Sequence, residues 1–253
     1  MMRAFHNDPA VRQKYLDRVE AHRKADELVH GQYWTGGRGC AVGCTIHSSD
    51  HRQYEAELGI PVEIAHLEDS LFERMPRANA QEWPGKFLAA IPLGADLSMV
   101  IPHFLYWVLG DEKDGVIALV DPKEFPECHA AVASATALQE RLLNGEKIED
   151  SERAEEADWV AGVARAAGVA WVAGAAGAAW VEGAAGVAGV AGAAGAARVA
   201  GAAWAGRAAR AAWAAWAAEY EKRALLQSEK LLELLAAAPI PDDARCETAG
   251  GGR

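Results

Sequence analysis

Cys40, Cys44, His47 and His51 fall within twelve residues of one another. Two thiolates and two imidazoles are a common tetrahedral donor set for zinc, and thiolate-rich sites also take iron. The spacing Cys-x3-Cys-x2-His-x3-His suits one loop leading into a helix. It differs from zinc-finger spacing, because only two residues separate the cysteine pair from the histidine pair. Two other readings compete. The cysteines could be small buried residues beside a glycine turn, since free Cys is among the most buried residue types. Alternatively, Cys44 could be a reactive thiol whose pKa is lowered by nearby His47. A second group, His22, Asp26 and His30, recurs at four-residue steps, which places all three on one side of a helix. Such a set can ligate a metal directly or support its ligands, or it can simply be the polar edge of an amphipathic helix. If that helix docks on the cysteine loop, both groups meet in one mixed N, O and S cluster.

Gly36, Gly37, Gly39 and Gly43 surround Arg38. Backbone N–H groups of Gly37, Arg38 and Gly39 could cradle an anion. The segment matches neither a Walker A loop nor a Rossmann fingerprint, as no Gly-Lys-Ser/Thr follows it and no strand precedes it. Glu68, Asp69 and Glu73 read as a solvated helix face, and Cys128-His129 as a structural pair.

The elements that must position these residues read as all-α. Asp8 caps a first helix, Pro9 occupies its first turn, and Gly31 ends it. Val11, Tyr15, Val19, His22, Asp26, Val29 and His30 then share one side. Ser48, Ser49 or Asp50 starts a short helix that stops at Gly59. Pro61 opens another, Val62 to about Met75, with Ile64, Leu67, Leu71, Phe72 and Met75 inward. Further helices are expected at 80–91, 95–109 and 123–144, with breaks near Trp83-Pro84-Gly85 and Pro102. Val116 to Val120 could be a lone strand. The expected division is a helical globular domain over 1–150, a repeat arm over 151–218, a leucine-rich helix over 219–239 and a disordered tail over 240–253.

Residues 159 to 218 are twenty triplets whose first residue is Trp, Gly or Arg, whose second is Val or Ala, and whose third is Ala except at Glu182 and Gly206. An α-helix turns about 100° per residue, so a triplet step of about 300° carries the first positions around the axis and collects no seam. A polyproline-like coil would align them, but ten of the twenty are Trp or Arg. Eleven glycines between 162 and 206 each oppose helix by about 1 kcal/mol relative to Ala. Helix is therefore expected to be firm from 207 to 236 and frayed from 183 to 201, with disorder the rival there. Trp, Arg and Gly share NGG codons, and Val and Ala differ by one base. The tract thus reads as a nine-base DNA repeat that has drifted.

The net charge of −11 disfavours nucleic acid and anionic lipid as partners. Four cysteines in 253 residues do not resemble a disulfide framework. The first eight residues turn polar at once, so no secretory leader is expected. The uncharged run Ala166 to Val181 is too short and too weakly apolar for a membrane span. These features point to a reducing cytoplasm.

The block Gly39-Cys40-Ala41-Val42-Gly43-Cys44-Thr45-Ile46-His47-Ser48, with Tyr54, Glu57-Leu58-Gly59-Ile60-Pro61 and Leu67-Glu68-Asp69, resembles a group of bacterial and phage proteins. Asn7-Asp8-Pro9 and the run Ile91 to Ser98 resemble the same group. The resemblance implies a variable Ala-rich tract and a closing leucine-rich helix, and it implies no activity.

Two functions follow as expectations. One is a structural or interaction protein whose arm packs against itself or a protein partner, with Trp supplying burial and Arg specificity. The other is an enzyme or sensor built on the Cys/His loop, with zinc or iron as its metal.

Overall fold

A computed structural model of the chain describes residues 2–123, 125–155 and 207–242, with 207–219 as backbone only. The chain forms two compact units, residues 1–100 with 221–253, and residues 101–220. The described part is mostly helical.

The first unit opens with a 3-10 turn, Ala4–Asn7, and helix α1, Pro9–Lys24. Asp8 caps α1 by accepting the Ala10 N–H at 2.8 Å, and Pro9 sits in the first turn, where its missing N–H costs nothing. The helix stops at Lys24, well short of Gly31. Asp26 takes a left-handed conformation, φ 55°. The next residues then give their backbone bonds to Gly39: Val29 N–H donates to its carbonyl at 2.8 Å, and its N–H donates to Glu27 at 3.1 Å. This pairing, made with a residue far along the chain, outcompetes the helical bonds that periodicity alone favours. Asp26 and His30 therefore leave the helix that carries His22.

A small hairpin follows, β1 Trp34–Thr35 and β2 Arg38–Gly39, turned by Gly36 and Gly37 at positive φ. Its two-residue strands leave the described part all-α in class. Helix α2, Ala41–Ile46, is buried at every position. It packs against α1, α4 (Val62–Arg74) and α5 (Arg77–Ala90), its small residues Ala41, Gly43 and Cys44 allowing close approach. Between them lies α3, Gln53–Leu58, ended by Gly59 at φ 61°. A Cβ on Gly59 would lie 2.1 Å from the Arg3 carbonyl, so both conformation and space demand glycine there.

Helix α5 runs through Pro84 without the expected break. Trp83, Pro84, Phe87 and Leu88 are all buried, which offsets the lost backbone bond. The 4–7 turn is tied to the 94–95 loop by Ala4 N–H to Ala95 and Gly94 N–H to Ala4, each at 3.0 Å.

In the second unit, α6 (Val100–Gly110) and α7 (Pro126–Leu143) approach closely at Gly110, where an added Cβ would lie 2.3 Å from Thr136 Cγ2. The segment 116–120, where a lone strand would have no partner, is a 3-10 turn, Val116–Leu119. The last helix, α8, spans Arg207–Ala236. Its Ala224, Leu231 and Leu235 are buried in the first unit, whose Asp96 N–H donates to the Pro239 carbonyl at 2.8 Å. The tract from 159 to 206 and the tail after 242 lie outside the described residues. Among the described residues no helix is long and apolar enough to cross a membrane.

Candidate acid–base site

The first unit gathers its chemistry on both sides of the Gly39–His47 segment. On one side the end of α1 brings His22 against the end of α2. His22 Nδ1 lies 2.6 Å from Glu27 Oε2, and His22 Nε2 lies 2.8 Å from His47 Nε2. Glu27 reaches His22 because the chain reverses at Asp26, with Glu27 N–H donating to the His22 carbonyl at 3.0 Å. His47 ends α2 in a left-handed conformation, φ 56° and ψ 37°, a cap position that favours Gly or Asn. Its ring stacks on Trp34 at 4.6 Å and 9°, and the edge of His22 meets both rings.

These contacts fix one proton arrangement for neutral rings beside an ionised Glu27. The carboxylate accepts from His22 Nδ1–H, so the lone pair of His22 is on Nε2. That lone pair accepts from His47 Nε2–H, so the lone pair of His47 is on Nδ1. His22 is buried and His47 is exposed, so the chain of three groups runs from a carboxylate through a buried ring to one at the surface. Partial burial, then the positive charge of Arg18 and the neighbouring His22, hold the His47 pKa below the ordinary histidine value.

On the other side, Tyr54 donates to Glu68 Oε2 at 2.6 Å, both side chains being fully enclosed. Burial pushes both groups well above their ordinary pKa values and so favours the neutral acid at Glu68. His51 Nε2 lies 3.4 Å from Asp69 Oδ2 and stacks on His66 at 4.5 Å, with Tyr33 at its edge. Among the described residues Glu68 Oε1 and Asp69 Oδ1 are buried without a hydrogen-bond partner. Glu73 accepts the Gly31 N–H at 2.7 Å, and burial raises it to about 7. The expected solvated face at 68, 69 and 73 is thus largely internal. Leucines at 67 and 71 hint at the inward side of this helix, but the partners Tyr54 and Trp83 come from other elements.

Glycine makes this arrangement possible. A Cβ on Gly39 or Gly43 would lie 1.9 or 1.7 Å from the Tyr33 carbonyl oxygen, so the hairpin backbone rests directly on α2. Cys40 N–H donates to the carbonyls of Gln32 and Tyr33 at 2.7 and 3.1 Å.

The four residues of the Cys/His spacing are engaged separately. Cys40 Sγ accepts the Gly43 N–H at 3.4 Å beside Asp69, and Cys44 Sγ faces the Glu27 and Gly39 carbonyls at 3.6 and 3.4 Å. His47 meets His22, and His51 meets Asp69. Among the described residues no group of three or more His, Cys, Asp or Glu side chains is arranged to hold a metal ion. Both cysteines are buried, which raises their pKa values, Cys44 to about 12. Cys44 is therefore a protonated thiol rather than an activated one. Of the His22, Asp26 and His30 series, Asp26 pairs with Arg77 at 2.8 Å and His30 lies against Phe72. In the glycine loop, Gly37 and Arg38 are exposed at the hairpin turn, while the Gly39 N–H is already held by Glu27.

Comparison with family models, with curated proteins and with solved structures gives no match to this chain.

Proposed function

We propose that the first unit is a small acid–base enzyme with His47 as its general base and His22 and Glu27 as the relay behind it. The observation that carries this reading is the unbroken sequence carboxylate, buried imidazole, exposed imidazole, at 2.6 and 2.8 Å. When Nδ1 of His47 takes a proton, the imidazolium keeps its Nε2–H on His22. The Nδ1–H of His22 in turn faces the Glu27 carboxylate, which stabilises the new charge. A positioned base of this kind contributes typically 10²–10⁴-fold to a reaction. The depressed pKa keeps His47 unprotonated, and so available as a base, at neutral pH.

A substrate-independent test is hydrolysis of an activated ester, p-nitrophenyl acetate. The wild-type protein should exceed His47→Gln by at least ~10-fold, a modest share of what a positioned base supplies. Glu27→Gln should fall between them, because the relay loses its charge while His47 remains. A His47→Gln rate equal to wild type removes the proposal.

A further inference from the structure

Arg18 stands beside this base without a counter-ion. It lies close enough to His47 for its charge to hold the imidazole pKa down. One guanidinium N–H, on Nη1, donates to the Thr45 carbonyl at 2.8 Å, two residues before His47. The guanidinium also packs over the Tyr15 ring, 4.9 Å from its centroid. These two contacts hold the group in place. Three other arginines of the first unit are matched by carboxylates, Arg23 by Glu20 and Glu82, Arg52 by Asp50, and Arg77 by Asp26, whereas Arg12, like Arg18, bonds a backbone carbonyl and lies over an aromatic ring. Among the described residues Arg18 forms no ion pair. The neighbouring carboxylates are committed elsewhere, Glu57 to the Tyr15 hydroxyl and Glu27 to His22. Arg18 as a whole is partly exposed to solvent.

We infer that Arg18 anchors an oxyanion group, carboxylate or phosphate, on the molecule whose proton His47 takes. A guanidinium held at one edge presents its other N–H groups as a fork that suits two oxygens of such a group. An anion there also offsets the Arg18 charge felt by His47, so occupancy strengthens the base. This inference rests on the acid–base reading of His47.

The test follows the His47 ring by NMR while inorganic phosphate or acetate is added to the full-length protein, with ionic strength held constant by chloride. Wild type should show a saturable response in the millimolar range and an upward move of the His47 titration by about half a pH unit, the direction a nearby anion gives. Arg18→Gln should lose saturation, while Arg18→Lys, which keeps the charge without the fork, should retain it more weakly. The anion that saturates at lower concentration identifies the group. A linear response in wild type, or a saturable one unchanged in Arg18→Gln, overturns the inference. The ester assay separates the two proposals. Saturation by an anion with hydrolysis indifferent to His47→Gln leaves the anchor and removes the enzyme reading. Hydrolysis that depends on His47, with no saturable anion, does the reverse.

Discussion

Glu68 has no exposed surface, and its carboxyl meets the Tyr54 hydroxyl in an enclosed space. Ionising it there costs more than in water, which is why its pKa lies well above the ordinary value. The consequence for stability has a definite sign. Below the ordinary carboxylate pKa the group is protonated whether the chain is folded or not, and it carries no penalty. Above that pKa the unfolded chain releases the proton and the folded chain does not. Stability then falls with rising pH, by about 1.4 kcal/mol per unit for one fully retained proton, until the folded group also ionises. Glu73, raised to about 7, adds to the same trend between the ordinary pKa and neutrality. His47 acts oppositely. Its folded pKa is depressed, so its penalty begins as pH falls through the ordinary histidine value and grows toward the folded one. Urea unfolding at pH 5 to 8 should show Glu68→Gln losing roughly 1 kcal/mol per pH unit of the wild-type decline above pH 6.5, where His47 contributes least. Parallel wild-type and variant profiles would mean that Glu68 ionises normally in the fold.

At the scale of elements, α2 shows where local propensity and tertiary packing disagree. Ala is favoured over Gly inside a helix by about 1 kcal/mol, so propensity alone expects Gly43→Ala to stabilise. The Tyr33 carbonyl 1.7 Å from the new Cβ requires the opposite. The hairpin must lift, at a cost of about 3 kcal/mol, the upper part of the usual overpacking range. Gly36→Ala meets nothing within 4 Å and should cost only about 1 kcal/mol, through its positive φ. Thermal unfolding of the two variants ranks them, and a stabilised Gly43→Ala protein would show that the hairpin does not rest on α2 in solution. The same contrast explains what the residues alone reveal. Asp8-Pro9, Gly59 and Pro61 act through their own backbone conformations, so the start of α1, the end of α3 and the start of α4 are readable from the chain. The end of α1 depends on Gly39, and the burial of Glu68 on Tyr54 and Trp83. Those neighbours exist only after folding. His22 and His47 were legible as chemically capable residues, but their meeting depends on the chain reversing at Asp26.

At the scale of the whole molecule, the triplet tract and the acid–base site are separate questions. We propose that the tract is an association element, because its tryptophans offer burial that no single helix seam collects. Deleting residues 159–206 should leave His47-dependent ester hydrolysis within about two-fold of wild type, since Glu27, His22 and His47 all come from the first fifty residues of the chain. Sedimentation should show a smaller assembly. An unchanged sedimenting mass would remove the association role, and lost hydrolysis would tie the tract to the first unit's fold. Within that unit, Tyr33 and Trp34 are consecutive, yet Tyr33 meets His51 and Trp34 meets His47. One peptide bond therefore joins the neighbours of two ionisable clusters, like the pivot of a balance. Any change in the backbone at 33–34 therefore bears on the surroundings of both histidines at once.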